Sequence, residues 1–168
     1  AYNDANGNEI AGATAGYELS NIVTTTVSQV AGVSLGADQP LNISALGSGL
    51  FSVILTNTGN GSDSFALVAT DAAGQTGDYT YAIYSDAATY GVIDGSDVIV
   101  SSVSSLAADG TAHLLVKVID ITTGGAPEAD ALVVTLTATS GFAGAVSDAT
   151  VLTATVQAAT ITATMTAD

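Results

Sequence analysis

Hydrophobic and polar residues alternate along most of the chain, and this period of two is typical of strands with one buried face. The alternating segments are rich in Thr, Val, Ile and Tyr, which favour strands, and they carry no apolar stripe with a helical period. The apolar residues define six predicted strand segments: Phe51–Leu55, Phe65–Ala69, Tyr79–Ile83, Val98–Val100, Leu114–Val118 and Leu132–Leu136.

Clusters of Gly, Asn, Asp and Pro separate these segments, as expected for tight turns. They lie at Thr58–Gly61, Ala73–Gly77, Ala108–Gly110 and Thr123–Pro127. Short strands at such regular spacing, joined by turns, are typical of a sandwich of two antiparallel sheets. The pattern therefore predicts an all-β fold.

The two ends of the chain differ from its middle and set the predicted domain boundaries. Residues 1–16 are small and polar, with a predicted turn at Asp4–Asn8, and form an N-terminal arm that returns as a strand between about Ile10 and Val30. Residues 17–157 form the sandwich, and residues 158–168 form a C-terminal strand. The β-prone run Ser147–Thr166 would span roughly 65 Å if fully extended, whereas a domain of this size is only about 40 Å across. The run must therefore bend near Gln157, or project beyond its own domain.

The C-terminal strand has two interpretations. It either closes an edge of its own sandwich, or it is donated to a neighbouring subunit by addition to an open sheet edge. Its segment Thr160–Thr166 is amphipathic and uncharged, whereas natural edge strands usually carry charges that prevent pairing. If the C-terminus is the donor, we expect Ile161, Ala163 and Met165 to contact the neighbour. If the N-terminus is the donor, Tyr2 and Ile10 are the anchors, and the sequence leaves this polarity open.

Four segments, in the same order, resemble the Ig-like conserved-repeat domains that occur in tandem in bacterial and archaeal surface proteins. In this family the first carries a TNTGN turn, the second a Y-D…I-D…D loop, the third an L-A-A…L-L-V hairpin and the last a closing strand. A fifth segment, Ser20–Val27, resembles the strand that joins consecutive repeats. The four segments are Leu55–Leu67, Tyr84–Val100, Leu106–Val118 and Ala131–Ser140.

The resemblance implies an Ig-like antiparallel β-sandwich with extended terminal strands, displayed on a cell surface and without catalytic activity. This chain differs from the family because it carries a single unit. We therefore expect a subunit of an extracellular filament that polymerises with identical copies, similar in function to donor-strand pilins and biofilm fibre subunits. The alternative is a stand-alone Ig-like domain for adhesion or binding at the cell surface.

Charge excludes several classes of partner. The chain has 16 acidic residues and one Lys or Arg, giving a net charge of -15. Nucleic-acid binding needs clustered Lys and Arg, and anionic lipid surfaces attract the same residues. No apolar run approaches the ~20 residues that span a bilayer, so membrane insertion is not expected. We expect a secreted protein whose mature chain begins at Ala1.

Calcium is the one ligand that a motif suggests. Asp86, Asp94 and Asp97 fall at positions 1, 9 and 12 of a twelve-residue loop, with Gly91 at position 6, as in an EF-hand loop. Positions 3 and 5 lack oxygen ligands, so a turn that merely exposes Asp residues explains the spacing as well. A calcium ion between subunits would also offset the repulsion among acidic copies.

The residues that most enzymes need are scarce. The chain has one His, one Lys, no Arg and no Cys, which disfavours a zinc site. No order of Ser, His and Asp can be singled out for nucleophilic catalysis. Most of the Asp residues lie in Gly-rich turns, and the chain has no Trp to stack on a sugar. We therefore expect a protein that is not an enzyme.

Overall fold

The computed structural model describes residues 25–72, 77–122, 124–125 and 129–157. Within them, nine strands form two sheets. The strands are β1 (Val33–Ser34), β2 (Gln39–Ser44), β3 (Ser48–Asn57), β4 (Asp63–Asp71), β5 (Tyr79–Ser85), β6 (Ser102–Leu106), β7 (Thr111–Asp120), β8 (Ala131–Ser140) and β9 (Ser147–Gln157).

The two sheets pack face to face as an Ig-like β-sandwich. Sheet I has the order β1-β3-β7-β5, and sheet II has the order β2-β9-β8-β4-β6. All neighbours pair antiparallel except β2, which runs parallel to β9. Ig domains have four strands in one sheet and three adjacent antiparallel strands in the other. Sheet I provides the four strands, and sheet II contains the three as β4, β8 and β9. The fold class predicted from the alternating pattern and the resemblance is thus confirmed.

The core is built from the inward residues of each strand. On β8, burial alternates from residue to residue, because neighbouring side chains point to opposite faces. Full burial of a Leu or Phe side chain stabilises a fold by about 1.5–3 kcal/mol, so this core can hold the fold without disulfides. The largest side chains of this core with almost no exposure are Phe65, Leu35, Leu55, Leu114, Leu132, Leu136 and Leu152.

Asn57 joins the end of β3 to two surrounding turns, β3–β4 and β6–β7. Its fully buried side chain donates Nδ2 hydrogen bonds to the carbonyl oxygens of Gly61 (2.9 Å), Leu106 (2.9 Å) and Ala107 (3.0 Å). Its Oδ1 accepts a bond from the backbone N–H of Gly59 at 2.9 Å. The TNTGN sequence thus folds as a turn held from inside by one amide.

The segment before β1 is irregular rather than a strand. Residues 25–32 have no regular secondary structure, so the strand predicted to run to Val30 is wrong over its described part. The physical reason is a side-chain tether. The Asn60 Oδ1 accepts a bond from Val30 N–H, and the Asn60 Nδ2 donates to Ser28 O, which hold the segment against the β3–β4 turn.

Candidate functional site: the open edge of β3 and the acidic loop

β3 has a long backbone edge that no described strand pairs with. In an antiparallel pair, a strand directs the N–H and C=O of alternate residues to the same side. Asn57 N–H and C=O bond to the β6–β7 turn, and Gly47 O accepts from Asp120 N–H at the end of β7. Odd-numbered residues of β3 therefore bond toward β7, while the backbone groups of Leu50, Ser52 and Ile54 point the other way.

Only the end of β3 is covered on that other side. β1 pairs with Thr56 and Asn57 alone, after which the chain leaves sheet I and enters sheet II as β2. One side chain reaches the remaining stretch, where the Gln39 Nε2 donates to Ser52 O at 2.8 Å. No described strand pairs with Ser48–Leu55 on this edge. An edge of this length, without charges, is the kind that accepts an added strand.

The remaining edges carry features that oppose pairing. β2 contains Pro40, which has no N–H to donate. β5 is partly covered, since Ser85 N–H donates to Val98 O and Val100 N–H donates to Ile83 O. β6 spans five residues and pairs with β4 through an irregular register. Short, bulged or Pro-containing edges are the usual means of preventing aggregation, and β3 has none of them.

The core behind the open edge is closed by β2. A Cβ atom built on Gly49 would lie 2.3 Å from the Leu41 Cδ2 atom and 2.8 Å from the Ile43 Cγ2 atom. Gly49 thus lets β2 approach β3 across the sandwich. A strand added to β3 would gain main-chain hydrogen bonds and contacts with the outward side chains of Leu50 and Ile54.

The acidic loop between β5 and β6 uses its carboxylates to hold its own backbone. The Asp86 Oδ2 accepts from Gly91 N–H at 2.9 Å. The Asp97 Oδ1 accepts from Ala87 N–H and its Oδ2 from Asp94 N–H, each at 2.9 Å. The Asp94 Oδ1 accepts from both the Ser96 hydroxyl and the Ser96 N–H, which lower the pKa of Asp94. The three predicted calcium ligands therefore share one loop, as structural acceptors.

One oxygen in this loop has no hydrogen-bond partner among the residues that the structure describes. The Oδ1 of Asp86 is buried and accepts no hydrogen bond, in a residue that is only 5% exposed. Burial of an unpaired polar atom costs free energy, and a bound cation would offset that cost. Among the described residues, no group of three or more His and acidic side chains comes together as a metal site. The calcium site thus stays a prediction.

The single His of the chain lies beside this loop. The ring of His113 stacks on that of Tyr90, with centroids 3.8 Å apart and planes 8° from parallel. The His113 carbonyl accepts from Asp86 N–H. These contacts fasten the loop to β7 and give His113 a packing role.

Asp63 is a buried acid that sequence reasoning did not single out. Its Oδ1 accepts from the N–H groups of Ser64 (2.7 Å) and Phe142 (2.9 Å), and its Oδ2 accepts from the Ser140 hydroxyl. Burial alone would raise the pKa of Asp63, but these hydrogen bonds together lower it below its ordinary value. With both oxygens bonded to the fold, Asp63 joins the start of β4 to the end of β8.

The five residues predicted to contact a neighbouring subunit lie outside the described residues. They are Tyr2, Ile10, Ile161, Ala163 and Met165. The edge that could receive them, by contrast, is described. A sequence signal for it exists in β3, where Leu50 and Ile54 are apolar on the outward face, although alternation alone does not show which strand lies at an edge.

Comparison with known proteins identifies no family for this chain. No family model and no curated protein matches the chain. Among solved structures, the secreted serine protease VesC from Vibrio cholerae is 16% identical with a TM-score of 0.48, and the match covers 74% of this chain and 23% of the protease. This chain thus spans under a quarter of the protease's length.

Two smaller proteins match over nearly their whole length. The PapD-like domain 7 of human CEP192 is 10% identical with a TM-score of 0.44, covering 85% of this chain and 99% of that domain. AggA, the major subunit of aggregative adherence fimbriae type I from Escherichia coli, is 14% identical with a TM-score of 0.33, covering 80% of this chain and 100% of AggA. At such identities and TM-scores the likeness assigns neither a family nor a role to this chain. The described residues contain no helix that could cross a bilayer.

Proposed function

We propose that this protein is a structural subunit of an extracellular filament, in which each copy accepts a strand from a neighbour along the open edge of β3. The observation that carries the proposal is that no described strand pairs with the backbone of Leu50, Ser52 and Ile54, where only the Gln39 side chain reaches Ser52 O. Main-chain hydrogen bonds to an added strand supply affinity, and side-chain contacts set its register. The terminal segments of the same chain are the proposed donors, through Ile161, Ala163 and Met165 or through Tyr2 and Ile10.

The charge of the chain supports a surface role without nucleic acid, membrane insertion or catalysis. A net charge of -15 keeps single copies apart in solution. The one His is stacked on Tyr90, and the buried Asp63 has both oxygens engaged by the fold. These features favour a structural role in a secreted polymer over a chemical one.

We propose calcium as a ligand of the loop that contains Asp86, Asp94 and Asp97. The support is the buried, unpartnered Oδ1 of Asp86. A divalent cation would supply this atom with a partner and reduce repulsion between acidic copies. Its role would be to stabilise the polymer.

The test is a pair of substitutions at one edge position. Ser52→Pro removes an N–H that points away from β7, whereas Ser52→Ala keeps that N–H and changes only an exposed hydroxyl. We expect the wild type and Ser52→Ala to form filaments in negative-stain electron microscopy, and Ser52→Pro to remain dispersed. Circular dichroism and thermal unfolding check that all three chains are folded.

Deletion of residues 158–168 is the companion variant, because it leaves β3 unchanged. If the C-terminus is the donor, this deletion abolishes filaments, and a synthetic peptide of residues 158–168 binds the truncated chain. If filaments persist, deletion of residues 1–16 tests the N-terminal donor. Dispersed wild-type particles under all conditions would contradict the filament and favour a stand-alone adhesion domain, which is the alternative function.

A further inference from the structure

The turn between β3 and β4 carries the pair Asn60–Gly61, and the Asn60 side chain fastens the irregular segment of residues 25–32 to the sandwich. The Asn60 Oδ1 accepts from Val30 N–H at 2.6 Å, and the Asn60 Nδ2 donates to Ser28 O at 3.0 Å. The Asn60 N–H also donates to Val30 O at 3.1 Å. Three hydrogen bonds between the segment and the turn thus depend on this one residue.

Gly32 lets the same segment lie directly against the backbone of the turn. A Cβ atom built on Gly32 would lie 2.5 Å from the Thr58 Oγ1 atom and 2.9 Å from the Thr58 carbonyl carbon. The Thr58 N–H donates to Gly32 O at 3.1 Å, and the Gln29 Nε2 donates to Ser62 O at 2.9 Å. Close backbone approach at Gly32 therefore accompanies the hydrogen bonds that dock the segment.

Gly61 makes the exposed Asn60 side chain chemically vulnerable. A residue without Cβ leaves its backbone nitrogen open, and among the described residues none accepts a hydrogen bond from Gly61 N–H. This nitrogen can attack the Asn60 Cγ atom, so that a new N–C bond closes a succinimide ring while the bond from Cγ to Nδ2 breaks and ammonia leaves with the displaced proton. Water then opens the ring at either carbonyl and yields Asp or isoaspartate. The sequence of steps needs water alone, without an oxidant or a reductant.

The docked segment opposes this reaction. Nδ2 leaves as ammonia, so its bond to Ser28 O must be lost, and Cγ must approach Gly61 N while Oδ1 is still bonded to Val30 N–H. The reaction therefore follows a local opening of the segment, an event that costs less free energy than global unfolding. Afterwards the new carboxylate has no N–H for Ser28 O and adds a negative charge to a chain of net charge -15. Each conversion thus weakens the docking that had prevented it.

We propose that Asn60 is a deamidation site that the docked segment of residues 25–32 protects, and that its conversion releases this segment from the β3–β4 turn. The segment joins the proposed donor residues Tyr2 and Ile10 to the sandwich, so its release would lengthen that connection. The modification itself does not depend on the proposed filament.

Gly32→Ala and Gly144→Ala are the matched variants, because each adds one methyl group to a glycine. At Gly32 the added carbon would push the segment away from Thr58, whereas at Gly144 nothing lies within 4 Å of it. Hydrogen exchange of the Thr58 and Asn60 amides, which donate to the segment, measures the docking. Thermal unfolding verifies that both variants are folded.

The measurement is the rate at which Asn60 is converted in the full chain. The folded proteins are incubated at mildly alkaline pH and digested with chymotrypsin, and mass spectrometry follows the peptide Thr56–Phe65. Isoaspartate in the product identifies the ring, because direct hydrolysis of the amide yields Asp alone. Asn57 in the same peptide is the internal control, since it is fully buried and is followed by Thr58 instead of Gly.

We expect slow conversion of Asn60 in the wild type, with Asn57 unchanged. Gly32→Ala should raise the rate at least about tenfold, which corresponds to the loss of one or two hydrogen bonds from the protected state. Gly144→Ala should change the rate less than about twofold. Unfolding of the wild type in guanidinium chloride removes all docking, so it should raise the rate of Asn60 conversion at least as much as Gly32→Ala does.

Three results would overturn the proposal. An Asn60 that stays intact even in the unfolded chain is not a deamidation site. Equal rates of conversion in the folded and the unfolded wild type would show that docking gives no protection. Exchange of the Thr58 amide that is the same before and after conversion would show that the segment is not released. None of these results depends on whether filaments form, so the proposed function is tested separately.

Discussion

The buried side-chain amide of Asn57 should contribute strongly to the stability of the fold. Its Nδ2 serves three carbonyl oxygens and its Oδ1 one N–H. Asn57→Ala leaves these buried groups without partners, so we expect the free energy of unfolding to fall by about 2–3 kcal/mol. Urea unfolding measures it. Asn42→Ala, at an exposed position on β2, is the control and should change stability by less than about 0.5 kcal/mol. Equal effects of both substitutions would contradict the role given to Asn57.

Asp63 should make stability depend on acid pH. Hydrogen bonds hold the folded-state pKa of Asp63 below its ordinary value. The contribution of Asp63 to the free energy of unfolding is therefore complete above the unfolded-state pKa of about 3.9, and it is lost as pH falls through the lower folded-state pKa. Asp63→Asn should therefore destabilise the protein by about 1–3 kcal/mol at pH 7, and by less at about pH 2. Urea unfolding of both proteins at each pH checks this. Asp109→Asn, at an exposed turn, is the control. A loss of stability in Asp63→Asn that is the same at both pH values would contradict the interpretation.

At the scale of elements, alternation predicted the strands that have one clear apolar face. β3, β4, β5, β7 and β8 lie where Phe51–Leu55, Phe65–Ala69, Tyr79–Ile83, Leu114–Val118 and Leu132–Leu136 indicated. The reason is that each of these strands packs one face on the core, so burial imposes a period of two.

The strands that alternation did not predict lie at sheet edges, where pairing with a neighbouring strand, and not burial, determines whether a strand forms. β2 (Gln39–Ser44) contains Pro40 and polar residues, yet it pairs in parallel with β9 over its whole length. β6 (Ser102–Leu106) is Ser-rich and held by β4. The segment around Val98–Val100 forms a short bridge to β5 and not a full strand. Partners distant in sequence determine these elements, so local patterns do not reveal them.

For the candidate sites, too, the sequence predicts what depends on local spacing and does not predict what depends on distant parts of the chain. The spacing of Asp86, Asp94 and Asp97 placed them in one loop, and they do share it. Their use as acceptors for Ala87, Gly91 and Asp94 N–H groups depends on backbone geometry, which spacing does not encode. The open edge of β3 was likewise beyond local reasoning, because it depends on where the chain leaves sheet I after β1.

At the scale of the whole molecule, charge should control assembly. With a net charge of -15, copies repel over about 30 Å at 10 mM salt but only about 8 Å at 150 mM. We therefore expect the concentration needed for sedimenting polymer to fall as NaCl rises across that range. An assembly that weakens with added salt would show instead that attraction between opposite charges dominates, which this composition does not provide.

A comparison of CaCl₂ with NaCl distinguishes general charge screening from calcium binding at the acidic loop. At equal ionic strength, screening alone predicts the same polymer yield in CaCl₂ and NaCl, whereas an ion bound at Asp86 predicts a higher yield in CaCl₂ that chelation reverses. Asp86→Asn is the sharpest variant, because it neutralises the carboxylate while one oxygen can still accept from Gly91 N–H. We expect it to lose the calcium-specific gain and to keep the response to NaCl. If the higher polymer yield in CaCl₂ persists in Asp86→Asn, calcium binds at another acidic surface. An equal yield in both salts would show that screening is the sole effect of the cation.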